Sequence, residues 1–239
     1  MPNEHQALAI SLTMLPSYRL FPRILRWFRR FRQRRGYGVH SPFAFEWITD
    51  VVYNQQAQYY AYAPLSQQHK QWSGVLSIKD ARLLFRMANH CRAKCILMVG
   101  QGLDREKNYL AAARPSAQIV LLSDNQAVEQ YLAQPTNTPP HFDFVLWMAD
   151  EVPDASTFSL LSAPNHKGIL SSPTTNNLPD LHPTAVWVLL SPHDAPTRTT
   201  VWQTLQQSAF STVSFDLHRF GVAFHYPKLQ RQHYVVNYF

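Results

Sequence analysis

Two cysteines, Cys91 and Cys95, are all that the chain has. That scarcity excludes a disulfide framework as a source of stability, and two reduced, buried thiols in a cytoplasmic protein are expected. Their spacing is not by itself a zinc pattern, so no metal site is expected. Long apolar runs are also missing. None approaches the roughly 18 residues that a membrane span needs, so no transmembrane helix is expected. Residues Met1 to His5 lack a basic region and include Glu4, so no secretory signal is expected either. No internal repeat is present.

Acidic residues are nearly absent from one end. Residues 1–45 hold one acid, Glu4, against eight arginines between Arg19 and Arg35. The remainder carries 14 basic and 14 acidic side chains, so the net charge of +7 is one local feature. Within Tyr18 to Arg35, Phe21, Ile24, Leu25, Phe28 and Phe31 recur at helical spacing, with arginines on the opposite side. Three roles suit such a helix: docking on its own domain, lying on an anionic membrane surface, or gripping a nucleic-acid phosphate backbone. Membrane association would be peripheral.

What is present in quantity is apolar sequence, 46% of 239 residues, enough for one α/β domain with an N-terminal extension. Its organising stretch is Ile96-Leu97-Met98-Val99-Gly100-Gln101-Gly102-Leu103-Asp104. Four apolar residues before a glycine suit a strand covered on both faces. Gly100 and Gly102 can take positive φ and admit a ligand to the backbone, and the helix expected over Arg105–Ala113 would offer it free N–H groups. A nucleotide-like cofactor is the natural occupant. Asp104 is expected to cap that helix. Strands are expected at Cys95–Gly100, Gln118–Ser123, Phe142–Met148 and Ala185–Leu190, and a weak one at 167–170. Helices are expected at Ile78–His90, Gln126–Gln134, Ala155–Leu161 and Thr197–Ser208. Ile78–His90 turns Ala81, Leu84, Phe85 and Ala88 to one side and Lys79, Arg82 and Arg86 elsewhere. Such alternation implies a parallel sheet with right-handed crossovers. The tail, Ser211–Asp216, Arg219–Tyr226 and His233–Tyr238, reads as closing strands with at least one antiparallel pair. Ser41 and Pro42 suit the start of a helix over Phe43–Tyr53. His40, His193 and Asp194 are polar candidates near loop positions, with no catalytic role assigned.

Three ordered stretches carry a resemblance. They are Gly38-Val39-His40-Ser41-Pro42-Phe43; then Ala81 to Asn89 followed by the glycine turn; then Phe215 to Phe224 with Lys228, Gln232 and His233. Across about residues 20–239 the chain resembles small bacterial class I S-adenosylmethionine-dependent methyltransferases. The resemblance implies a Rossmann-like, mostly parallel seven-stranded sheet with an antiparallel C-terminal strand. It places an N-terminal helical extension over residues 1–77 and the methyltransferase domain over 78–239. It also implies S-adenosylmethionine as cofactor over the C-terminal strand ends, held by Gly100, Gln101, Gly102, Ser123 and Asp124. The methyl acceptor is left open, small molecule or macromolecule.

Against the family pattern, Met98 replaces an acid two places before the first glycine, and Asp104 replaces a third glycine. Ser123 stands where an acid usually holds the ribose, with Asp124 one place later. Met148-Ala149 replaces Asp-Gly, with Asp150 displaced, and Leu190-Ser191 replaces paired aspartates. A carboxylate on the ribose diol is worth roughly 1.5–3 kcal/mol, so its loss would weaken binding by about 10- to 100-fold. Asp124 would replace it only if the strand bends, because adjacent side chains point to opposite faces. The expectation is a degenerate member with weak or lost activity. The alternative is a non-catalytic module that uses the arginine-rich helix to bind a membrane surface, a protein or a nucleic acid.

Overall fold

The structure, a computed structural model, describes residues 39–134, 142–151, 153, 185–226 and 229–238. The arginine-rich helix, the helix expected over 155–161, the strand expected at 167–170 and Lys228 lie outside these residues.

Among the described residues, seven strands form one sheet: β1 Cys95–Val99, β2 Gln118–Leu122, β3 Phe144–Trp147, β4 Ala185–Leu190, β5 Val213–Asp216, β6 Phe220–His225 and β7 Gln232–Val235. Their order is β2-β1-β3-β4-β6-β5-β7. β1 pairs in parallel with β2 and with β3, and β3 with β4. β6 runs antiparallel to both β4 and β5, whereas β7 is parallel to β5. The expected Rossmann-like, mostly parallel seven-stranded α/β sheet is therefore the fold. Its antiparallel member is β6, inside the sheet, with β7 at the edge.

Six α-helices are described: α1 Pro42–Glu46, α2 Tyr62–Gln68, α3 Ile78–His90, α4 Asp104–Ala113, α5 Asn125–Leu132 and α6 Pro196–Gln207. The sheet's period of two sorts its side chains into two layers. Ile96 and Met98 of β1 pack with α1, α3 and α4, while Leu97 and Val99 pack with Val128 of α5 and with Val201, Trp202 and Leu205 of α6. Burial on both faces explains why β1, β3 and β4 read as near-continuous apolar runs.

The Ser41-Pro42-Phe43 stretch starts α1 as expected. The Ser41 hydroxyl accepts from the Ala44 N–H at 3.4 Å, and Pro42 sits where no N–H is needed. The helix continues as π-helix over Trp47–Val52. Trp47 stacks on Phe215 with ring centroids 4.2 Å apart, and Phe43 meets Phe224 edge-on at 5.3 Å. Arg86 stands on α3 apart from Ala81, Leu84, Phe85 and Ala88. It is buried, and donates to the terminal carbonyls of the π-helical segment, Nε to Val51 at 2.7 Å and a terminal nitrogen to Val52 at 3.3 Å. Those carbonyls have no partner within the helix, so a cation there satisfies both hydrogen bonding and dipole.

Gly221 in β6 lies under the Trp202 indole of α6, and a Cβ at Gly221 would stand 2.5 Å from a ring carbon. An indole cannot yield as a flexible chain end does. Gly221→Ala is therefore expected to destabilise the fold by about 1–3 kcal/mol, read as a lower urea midpoint. An unchanged midpoint would contradict this packing.

Candidate cofactor crevice at the C-terminal strand ends

The chain leaves β1 toward β2 on one side, and β3 and β4 follow on the other. The carboxyl ends of β1 and β3 therefore flank a topological switch point, where open α/β sheets leave a crevice. Gly100 and Gly102 fall there, with φ of 142° and 65°. Both conformations favour glycine. A Cβ at Gly100 would meet the Met148 side chain at 3.0 Å, so Met148 closes one wall of the crevice. At Gly102 a Cβ would meet no atom within 4 Å, so the backbone there is open to a ligand. Gln101 between them is exposed.

Asp104 does not cap α4. The helix begins at Asp104 itself, with Leu103 in the capping position, because the turn closes one residue sooner than expected. The Asp104 carboxylate instead accepts the Ser73 hydroxyl. Its neighbours are committed in the same direction. Arg105 donates to the carbonyls of His69, Trp72, Gly74 and Leu76 at 2.9–3.0 Å. The buried Glu106 accepts the N–H groups of Val75 and Leu76 through Oε1 at 3.0 and 2.9 Å. The first turn of α4 thus ties down residues 69–76, and ligand contact is left to the glycine turn before it.

At the end of β2, Asp124 caps α5, accepting the Ala127 N–H at 2.8 Å, while the Ser123 hydroxyl donates to its other oxygen at 2.7 Å. These bonds, the backbone one foremost, hold the Asp124 carboxyl below its ordinary value. A carboxylate offers about four acceptor sites, and two are used here, so it retains capacity for a diol at the exposed rim. The residues present fit a nucleoside cofactor on two counts: the unobstructed backbone at Gly102, and an ionised acceptor at Asp124.

The other departures resolve physically. Met98 is fully buried in the core. Asp150 pairs with Arg198 of α6 at 2.5 Å. Leu190 is buried, and Ser191 follows with a φ of 50°. His40 is exposed beside the Ser41 cap.

Along the same rim the structure assembles a group that sequence reasoning left apart. His193 Nε2 lies 2.8 Å from Asp216 Oδ2. The His193 and His218 rings are nearly parallel, with centroids 5.7 Å apart. Arg219 lies 3.7 Å from both Asp80 and Asp194. His193 and Asp194 stood out as polar loop residues, but Asp216 read as a strand terminus. The usable signal was the polar turn His218-Arg219 between two apolar strands.

No family model matches the chain, and no curated protein does. Among solved structures it is similar to the O-methyltransferase TomG from Streptomyces achromogenes, involved in tomaymycin synthesis and solved with SAM. The identity is 17%, over 75% of this chain and 96% of that one, with a TM-score of 0.44. It is also similar to an O-methyltransferase from Bacillus cereus in complex with SAH, at 11% identity over 76% and 96% of the chains and a TM-score of 0.45. A third is the SAH-bound methyltransferase PaMTH1 of Podospora anserina, at 11% identity over 79% and 97% and a TM-score of 0.45.

Asparagine caps helices as well as aspartate does but brings no charge. Asp124→Asn is expected to keep near-wild-type stability at neutral pH and to weaken a diol-bearing cofactor about tenfold by calorimetry. A depressed folded-state value means that the Asp124 contribution is present above the unfolded carboxylate value and lost as pH falls through the folded one. The variant should accordingly lose part of the wild type's acid destabilisation. Unchanged affinity would reduce Asp124 to a helix cap.

Proposed function

We propose that this chain is a methyltransferase-like protein that binds S-adenosylmethionine weakly across the carboxyl ends of β1 and β2. The observation that carries the reading is the open, left-handed backbone at Gly102, set at the switch point at the end of β1, next to the end of β2 where the half-buried Asp124 carboxylate stands. In this reading the turn Gly100-Gln101-Gly102 receives the amino-acid end of the cofactor, and Ser123 and Asp124 the ribose. S-adenosylmethionine, when bound, supplies an electrophilic methyl group. The chain's own part is to orient and to shelter.

Weakness follows from two features. Asp124 already spends half of its acceptor capacity on α5 and Ser123. Met148 narrows the approach over Gly100.

Calorimetry with S-adenosylmethionine and its demethylated product tests the reading, with dissociation constants expected between about 10 μM and 1 mM. Gly102→Ala keeps the chain folded, because only the left-handed cost of roughly 1–2 kcal/mol is incurred. Its new methyl group should abolish the binding heat. No heat from the wild type at millimolar cofactor, or normal binding by Gly102→Ala, contradicts the proposal.

A further inference from the structure

Beyond the cofactor crevice, the rim holds a histidine–aspartate pair that the proposal above does not use. Asp216 ends β5 and is sheltered, its side chain 8% exposed, whereas the His193 side chain is 28% exposed. Both carboxylate oxygens are engaged: Oδ1 accepts the His218 N–H at 2.8 Å, and Oδ2 faces His193 Nε2 at 2.8 Å. An ionised carboxylate can only accept, so a neutral His193 must carry its hydrogen on Nε2. That leaves Nδ1 as a lone pair, and Nδ1 has no hydrogen-bond partner among the described residues.

Several features hold this arrangement. The His218 ring lies within 15° of parallel to His193. Ser191 and His218 both adopt left-handed backbone, with φ of 50° and 69°, a cost that non-glycine residues bear only where the surroundings impose it. Arg219, on the turn beside them, is matched by Asp80 of α3 and by Asp194, and donates to Ser191 Oγ at 3.2 Å. Its charge is balanced, so the group is not an anion trap. Among the described residues, the charged and titratable groups around His193 are Asp216, His218, Arg219 and Asp194, with Asp80 beyond Arg219.

We infer that His193 is the proton acceptor for a hydroxyl-bearing methyl acceptor, with Asp216 as its positioning residue. This rests on the methyltransferase reading. β4 is two strands from β1, about 10 Å of sheet, so His193 faces the same rim as the glycine turn. A neutral amine attacks with its own lone pair, and a carboxylate is already ionised. A hydroxyl is the acceptor that must shed a proton as it attacks. The acceptor's O–H bond breaks as its O–CH₃ bond forms, and the proton moves to Nδ1. The sulfonium donor departs as a neutral thioether, so charge balances. The imidazolium then rests against Asp216, which lowers its cost.

Two measurements test the inference. Nitrogen-15 NMR of the cofactor-free chain should show His193 protonated on Nε2, with that preference lost in Asp216→Asn. Protonation on Nδ1 in the wild type overturns the assignment. With S-adenosylmethionine, methyl transfer to phenol and to 4-nitrophenol should be compared at about pH 8, where phenol keeps its proton and 4-nitrophenol is mostly anionic. His193→Gln should lose phenol transfer by at least about 100-fold and 4-nitrophenol transfer far less, with cofactor heat unchanged. Equal losses on both acceptors, no loss on phenol, or wild-type transfer to neither overturns the inference alone. Absence of cofactor binding by the wild type removes both this inference and the reading beneath it.

Discussion

β1 is held in parallel by β2 on one side and by β3 on the other, and it is buried on both faces. Every placement at the rim follows from that constraint. Parallel pairing brings the ends of β1, β2, β3 and β4 to one edge, so Gly100, Ser123, Met148 and Ser191 become neighbours along a line. Burial on both faces fixes the register, since a slip of one residue would exchange Met98 with Val99 between the two layers. The crevice is thus a product of sheet topology, and the side chains beside it determine how well it can be used.

Away from the glycine turn, α1, its π-helical continuation and α3 pack around the hairpin of β5 and β6. Phe43 and Trp47 pack on Phe215 and Phe224. Arg86 closes the end of the π-helical segment, and Asp80 reaches Arg219 on the turn after β5. These contacts hold the hairpin of β5 and β6 against α1, the π-helical segment and α3. That hairpin presents Asp216 and His218. At this turn Asp80 and Asp194 flank Arg219, and Asp216 faces His193.

Much of the fold was legible because its signals are local. The run Ile96–Val99 before Gly100, the spacing of Ala81, Leu84, Phe85 and Ala88, and Ser41 before Pro42 each state their structure within a few residues. The buried charges were not legible. Arg86 and Glu106 are polar by type, and their partners are backbone groups about 30 residues away, which no periodicity reveals. Asp216 and His193 are separated by 23 positions, and only the antiparallel return of β6 brings them together. Asp124 was legible in part. Its place before a helix is a capping signal, but a residue that caps can also face a ligand, and sequence alone does not divide its oxygens between the two.

A nucleoside cofactor on the carboxyl edge of β1 and β2 would perturb the amides that line it. During titration with S-adenosylhomocysteine, the largest amide chemical-shift changes are expected at Gly100, Gln101, Gly102, Ser123 and Asp124, with Met148 following. Shifts confined to another face of the sheet, or none at millimolar ligand, would contradict that placement.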